Sequence, residues 1–252
     1  MGKFERPFVL SYDIETTYVK ADVWRPGYNL NIGYDSIDKN FLEGRTHIIC
    51  VSYKWAHEKE ARLIHSGVDF KGEGRLIERF DKIVNKAHIV LAHNGDHFDM
   101  KQFNTLRLIN KLPPVMWPSS EDTLKMLRKN FKFSSNRLDY ISSLLLGKGK
   151  NKMSFDDWRA VVELKCPKAR KKMFKYCIKD TVDLDKDAKI ILPYIQTTQT
   201  KLMARRDVED CSNYLCKNPH IIKAGTMRTL KGDFQKYKCT TCGHNHTGSK
   251  PL

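Results

Sequence analysis

Asp13-Ile14-Glu15 closes a β-rich run, Phe8 to Thr16. Alternation along a strand puts Asp13 and Glu15 on one face and Ile14 on the other. Two carboxylates side by side repel, so one resists ionisation unless a cation lies between them. The ordinary alternative is a solvated strand end. A third acid, Asp99, follows the run Leu91-Ala92-His93-Asn94-Gly95-Asp96-His97-Phe98 and falls in the first turn of a helix. That is the carboxyl edge of a strand, where sites form in open α/β sheets. The helix dipole also favours an acid there, a role that suits Asp96 as an N-cap, and Asp96 is left out of the site. Tyr176 and Asp180 lie four apart in a helix, so hydroxyl and carboxylate project from one face. Their neighbours Lys171, Lys172, Lys175 and Lys179 would equally suit a surface helix. Asp183, Asp185 and Asp187 read as a solvated face.

Four of the seven cysteines cluster late, as Cys211-x4-Cys216 and Cys239-x2-Cys242; Cys50, Cys166 and Cys177 are scattered. Two thiolate pairs across a loop are the pattern of a zinc ribbon, and four-thiolate sites are closed and structural. The first spacing departs from the commoner x2, so His220, His244 or His246 could replace one cysteine. Gly243 suits a knuckle turn. Four free thiols are the alternative. An odd cysteine count without a secretory signal points to a reducing, cytoplasmic compartment.

The elements that must position these groups can be read along the chain. Strands are expected at Phe8 to Thr16, Thr46 to Trp55, Ala61 to His65 and His88 to Ala92. Helices are expected over 73–86, 96–110, 121–130, 136–146, 154–164 and 167–191, with Pro167 at an N1 position. The stretch from Tyr18 to Gly44 reads as a long loop. This order makes an α/β layered domain over 1–198. A polar linker, Gln196 to Thr200, leads into a zinc-ribbon domain over 199–252. The 252 residues carry 45 Lys+Arg against 29 Asp+Glu, a net of +16, which favours a polyanionic partner, most simply nucleic acid. Residues 201–252 hold ten Lys/Arg and four Asp/Glu, a net of +6. No apolar run approaches the ~20 residues of a membrane span.

Asp-Ile-Glu-Thr at 13–16, Asn-x-x-x-Phe-Asp at 94–99 and Tyr-x-x-x-Asp at 176–180, in that order, resemble the three exonuclease motifs of the DEDD (DnaQ-like) superfamily. The tyrosine four residues before the last aspartate resembles the DEDDy branch, and most of all the proofreading exonuclease domain of family-B DNA polymerases, over about residues 7–195. The chain is too short to hold a polymerase palm as well, so a free-standing exonuclease of the kind phages often carry is expected, in which case the compartment is the bacterial host's cytoplasm. The resemblance implies a ribonuclease-H-like fold, a mixed five-stranded sheet flanked by helices.

It also implies roles. Asp13, Glu15 and Asp180 would hold one Mg²⁺ or Mn²⁺ ion, Asp13 would bridge to a second, and Asp99 would support the second directly or through water. Tyr176 would orient the attacking water. Thr16 and Thr17 could offer donors to the 3′ end. Asn94 contacts a phosphate or holds the Gly95 turn. Phe98 packs against the terminal base or sugar, or sits in the core, the commoner place for a phenylalanine. Lys148, Lys150 and Lys152 could track the phosphate backbone. The implied activity is 3′–5′ release of nucleotides, preferentially from single-stranded DNA. The rivals are a ribonuclease or structure-specific endonuclease of the same fold, and a non-catalytic nucleic-acid-binding adaptor. A replication or recombination protein is a further candidate partner.

Overall fold

The computed structural model describes residues 7–23, 34–147, 153–197, 211–217, 219–229 and 232–251. Its centre is β1 (Val9–Thr16), which pairs antiparallel with β2 (Ile48–Trp55); β2 pairs antiparallel with β3 (Arg62–His65). On the other side β1 runs parallel to β4 (Ile89–Ala92), and β4 parallel to β5 (Ser119–Asp122). The order β3-β2-β1-β4-β5 makes a five-stranded mixed sheet. The helices are α1 (Glu73–Val84), α2 (Asp99–Ile109), α3 (Thr123–Asn130), α4 (Leu138–Leu146), α5 (Phe155–Val162) and α6 (Pro167–Ile191). This architecture is compatible with a ribonuclease-H-like fold.

Strand alternation sorts the core into two layers. Leu10, Tyr12 and Ile14 pack with Leu76, Ile77, Phe80 and Val84 of α1 and Phe103 and Leu106 of α2. Val9, Ile89 and Leu91 pack with Met126 and Leu127 of α3, Ile141 of α4, and Leu184, Ala188 and Ile191 of α6. Asp13 and Glu15 share the alternation of Val9 and so face α6. Burial of these two apolar faces is what fixes the register of β1, because a one-residue slip would send both acids into the α1–α2 layer.

Two expectations need correction. The helix expected over 121–130 begins at Thr123; residues 119–122 form an edge strand instead. Ser-Ser-Glu-Asp has no intrinsic strand signal, and its pairing with β4, Ile89 opposite Ser119 through Ala92 opposite Asp122, supplies the order. Asp183, Asp185 and Asp187 are all buried rather than solvated. Asp185 accepts from Lys54 (2.8 Å) and Lys189 (2.6 Å), Asp183 from Lys179, and Asp187 from the Ser142 hydroxyl (2.5 Å). Asp185 and Asp187 bolt α6 to β2 and α4, while the Asp183 pair lies within α6.

The C-terminal strands β6 (Ile221–Thr229), β7 (Gly232–Cys239) and β8 (Asn245–Pro251) form a separate three-stranded antiparallel sheet. Tyr214 and Leu215, which precede it, are buried in the same cluster as Leu184 and Ile191 of α6. Among the described residues no helix is long and apolar enough to cross a membrane.

Candidate functional site

The pairing of β1 with β4 stops at Ser11 opposite Leu91, so β1 overhangs its parallel neighbour. The overhang is where the acids gather. Asp13 is half-buried and Glu15 is buried. Oxygens of both lie within 4.8 Å of each other and of the Cys177 sulfur on α6. Cys177 is itself buried and donates to the Asp13 carbonyl oxygen at 3.6 Å, which clamps α6 to the strand. One residue before it, Tyr176 is hydrogen-bonded to Asp180. Burial, and then the charges of Asp180, Glu15 and Asp13, hold the Tyr176 phenol far above its ordinary range. It is therefore a proton donor at neutral pH and no base.

Asp99 opens α2 and is buried. On the side of β1 that β4 leaves open, the backbone N–H of Ile14 donates to its carboxylate. Burial pushes the Asp99 carboxyl up to about 7, the charge of Asp122 adds to the rise, and the Ile14 donor opposes it. Asp99 is thus beside β1 between Asp13 and Glu15 in sequence register, on the α2 side of the cluster. The structure brings Asp13, Glu15, Tyr176 and Asp180 into one group and sets Asp99 at its margin.

The turn that carries Asp99 is held from below. Asn94 adopts φ 68°, a left-handed conformation that asparagine tolerates. Its backbone N–H donates to Asp122 at 2.9 Å, and the same carboxylate caps α3 through Leu124 N–H at 2.9 Å. A Cβ on Gly95 would lie 2.4 Å from Ala92 Cβ, so only glycine fits. Asp96 does not cap α2; its side chain accepts from Ser120 and from Lys125 (2.6 Å). Phe98 is no core residue. It is 41% exposed at the mouth of the turn.

Thr16 and Thr17 part ways. The Thr17 hydroxyl is buried and accepts from His47 N–H at 2.8 Å. Thr16 is half-buried, and its carbonyl accepts from the Trp158 indole N–H at 3.1 Å. Trp158, on α5, also meets Tyr176 edge-to-face, with ring centroids 6.2 Å apart and planes at 78°. It therefore touches both walls of the acid cluster. Nothing in the three motifs points to Trp158 or Asp122; an aromatic in an amphipathic helix and an acid before a helix are too ordinary to stand out. Lys148, Lys150 and Lys152 lie outside the described residues.

The donor set suits a hard cation on its oxygen side: three carboxylates and a phenol, from strand and helix, at one strand end. The late cysteines suit a different ion. The Cys211 and Cys242 sulfurs are 3.6 Å apart, Cys216 and Cys239 3.9 Å, and all four lie within 4.8 Å of one another. A tetrahedral Zn²⁺ with Zn–S bonds of ~2.3 Å sets its sulfurs roughly 3.8 Å apart. Burial pushes the Cys216 thiol up to about 12, with the other thiols adding to it. Burial acts the same way on Cys239, but N–H donors of the knuckle outweigh it and bring that thiol down to about 6. Gly243, at φ 76°, closes the knuckle by donating to the Cys239 carbonyl at 2.8 Å. His244 is engaged elsewhere, with Ser212 (3.0 Å) and the Pro193 carbonyl (3.4 Å), so the four cysteines need no histidine substitute.

No family model and no curated protein matches this chain. Solved structures do. One is the family B DNA polymerase from the hyperthermophilic archaeon Pyrobaculum calidifontis, with a TM-score of 0.52 at 14% identity over 77% of this chain. The match spans 26% of that polymerase's length. The likeness is one of fold.

Proposed function

We propose that the chain is a metal-dependent 3′–5′ exonuclease of the DEDDy kind, acting on single-stranded DNA ends. Its nuclease domain would span 1–198 and a zinc-ribbon domain 199–252. One observation carries the reading: Asp13 and Glu15 from β1, Asp180 and Tyr176 from α6, and Asp99 from α2 gather at the overhanging end of the central strand. The polymerase-like fold and the charge of +16 support it.

Two Mg²⁺ or Mn²⁺ ions, when bound, would supply water activation and charge stabilisation at the scissile phosphate. Asp13, Glu15 and Asp180 would hold them from α6 and β1, with Asp99 at the far side. Tyr176 stays protonated and would donate a hydrogen bond that orients the attacking water. Phe98, exposed beside Asp99, would pack on the terminal nucleotide. Trp158 would keep Tyr176 at its angle. In the ribbon, Cys211, Cys216, Cys239 and Cys242 would hold one structural Zn²⁺.

The test is incubation of 5′-labelled single strands with the full chain and Mg²⁺. A ladder shortening one nucleotide at a time from the 3′ end is expected. Asp13→Ala and Asp180→Ala should each slow it at least about a hundredfold while circular dichroism stays unchanged. Binding without cleavage would instead mark an adaptor, internal fragments an endonuclease, and a preference for RNA a ribonuclease.

A further inference from the structure

A cavity of about 810 Å³ opens between the close of α6 and the cysteine knuckle. One wall is Lys189, the 3₁₀ turn Leu192–Tyr194 and Gln196; the other is Lys238, Thr241 and Asn245. The walls are tied to each other. Gln196 Nε2 donates to the Asn245 carbonyl at 3.4 Å, and His244 meets the Pro193 carbonyl. The groove is therefore part of the fold.

Its chemistry is one-sided. Among the described residues no carboxylate lines it. Tyr194 is 78% exposed, yet its ring is braced edge-to-face on Phe131, with centroids 6.5 Å apart. An aromatic ring held in place but open on one side is a stacking platform. Lys238 is exposed at the rim, and Lys236, two residues along β7, stands on the same face. Asn245 and Thr247 sit opposite these lysines on β8. Ile190, Pro193 and Ile195 line it as well. Cations in a row, amides and hydroxyls between them, and a bare ring with apolar side chains beside it match a nucleic-acid strand, which offers phosphates to the first and base faces to the last.

We propose that this groove is a second nucleic-acid-binding site, which grips a single-stranded stretch away from the end being cut. A base stacks on Tyr194, phosphates pass along Lys238 and Lys236, and Asn245 and Thr241 offer donors and acceptors to sugars or base edges. Asp180 and Ile191 are eleven residues apart on α6, roughly 16 Å of helix, so a strand must be several nucleotides long to reach both sites. The inference rests on the nuclease reading only for the class of ligand.

The experiment measures binding without cleavage, with Ca²⁺ in place of Mg²⁺ and the zinc-loaded full chain. Fluorescence anisotropy would compare oligothymidylates of about 4 and about 16 nucleotides, the range of single-strand site sizes. Tyr194→Ala should weaken the long strand at least about fivefold relative to the short one, the low end for loss of one stacked base. Lys238→Gln should lower the salt slope for the long strand by roughly 0.7. A long strand carrying 5-iodouracil should crosslink to Tyr194 in the unaltered protein, which covers the case of a variant that misfolds. Equal affinities and slopes in both variants, with no crosslink at Tyr194, would overturn the proposal and leave the groove to a protein partner. A protein that binds as expected but never cleaves in Mg²⁺ would remove the exonuclease reading and keep the groove.

Discussion

Trp158 offers the sharpest test of how the acid cluster is held. Its indole N–H donates to the Thr16 carbonyl at 3.1 Å, and its ring edge meets Tyr176. A hydrogen bond of this kind contributes about 0.5–1.5 kcal/mol. An edge-to-face aromatic pair contributes a similar ~0.5–1.5 kcal/mol. Trp158→Leu removes both, about 1–3 kcal/mol together. If that loss falls on the placement of Tyr176, single-turnover release of the 3′ nucleotide slows roughly fivefold to a hundredfold. Trp158→Phe keeps a ring and should fall between the leucine variant and the parent. The decisive measurement is the double variant. Because Trp158 acts through Tyr176, Trp158→Leu added to Tyr176→Phe should cost less than about twofold beyond Tyr176→Phe alone. If the two losses multiply instead, Trp158 does not work through the tyrosine, and the account of the α5 wall is wrong.

Three further outcomes are expected. An Asp99 carboxyl raised to about 7 by burial favours the folded state while protonated, so in metal-free protein its contribution is full below about pH 4 and is lost as pH rises through 7. In the proposed site Mg²⁺ would displace that proton, so calorimetric affinity should fall by up to about tenfold per unit below pH 7, and the slope should flatten in Asp99→Asn; an identical slope in the variant would exclude Asp99 as the source. Gly95→Ala forces a Cβ to 2.4 Å from Ala92 and 3.2 Å from the Tyr12 hydroxyl, an overpacking cost of about 1–3 kcal/mol that should lower Tm by roughly 2–12 °C, and an unchanged melt would show that the turn gives way freely. Metal analysis should find one Zn²⁺ per chain, and Cys216→Ser or a strong chelator should erase the dispersed amide signals of β6 to β8; retention of those signals without zinc would make the thiol cluster incidental.

The acids were legible because alternation in a strand and a four-residue step in a helix place side chains without reference to anything distant. Asp13 with Glu15, and Tyr176 with Asp180, share a face as those local rules require; the meeting of the two pairs rests on α6 packing against β1. Asp99 was legible as a helix-opening acid, but its seat against the Ile14 N–H depends on β4 ending short of β1. No pattern within either strand encodes that overhang. Residues 119–122 became a strand through β4, against their own propensity. Asp183, Asp185 and Asp187 looked solvated because their spacing is that of a charged helix face; Lys54 and Ser142, the partners of Asp185 and Asp187, are more than forty residues away in sequence. Phe98 reversed the usual rule for phenylalanine because it stands at the N-cap of α2, outside the helix's buried stripe.

The acids of α6 differ in the sign of their neighbours. Asp183 and Asp185 each have a lysine within ion-pair distance, and Asp187 has a hydroxyl. Their charges are answered inside the protein, so each serves to fix α6. Asp180 is as buried as they are, yet the groups around its tyrosine partner are Glu15 and Asp13, of its own sign. Lys179, the adjacent residue, turns to Asp183 instead. Carboxylates gathered this closely favour a cation among them, which is the setting the proposed metal ions would meet. Cys177, Trp158 and the Asp185–Lys54 ion pair tie α6 and α5 to β1 and β2 through contacts outside the acid cluster. Those contacts set the strand and helix that carry the acids, and pre-set ligands are the condition that the proposed site would need to hold ions and a phosphate at fixed separations.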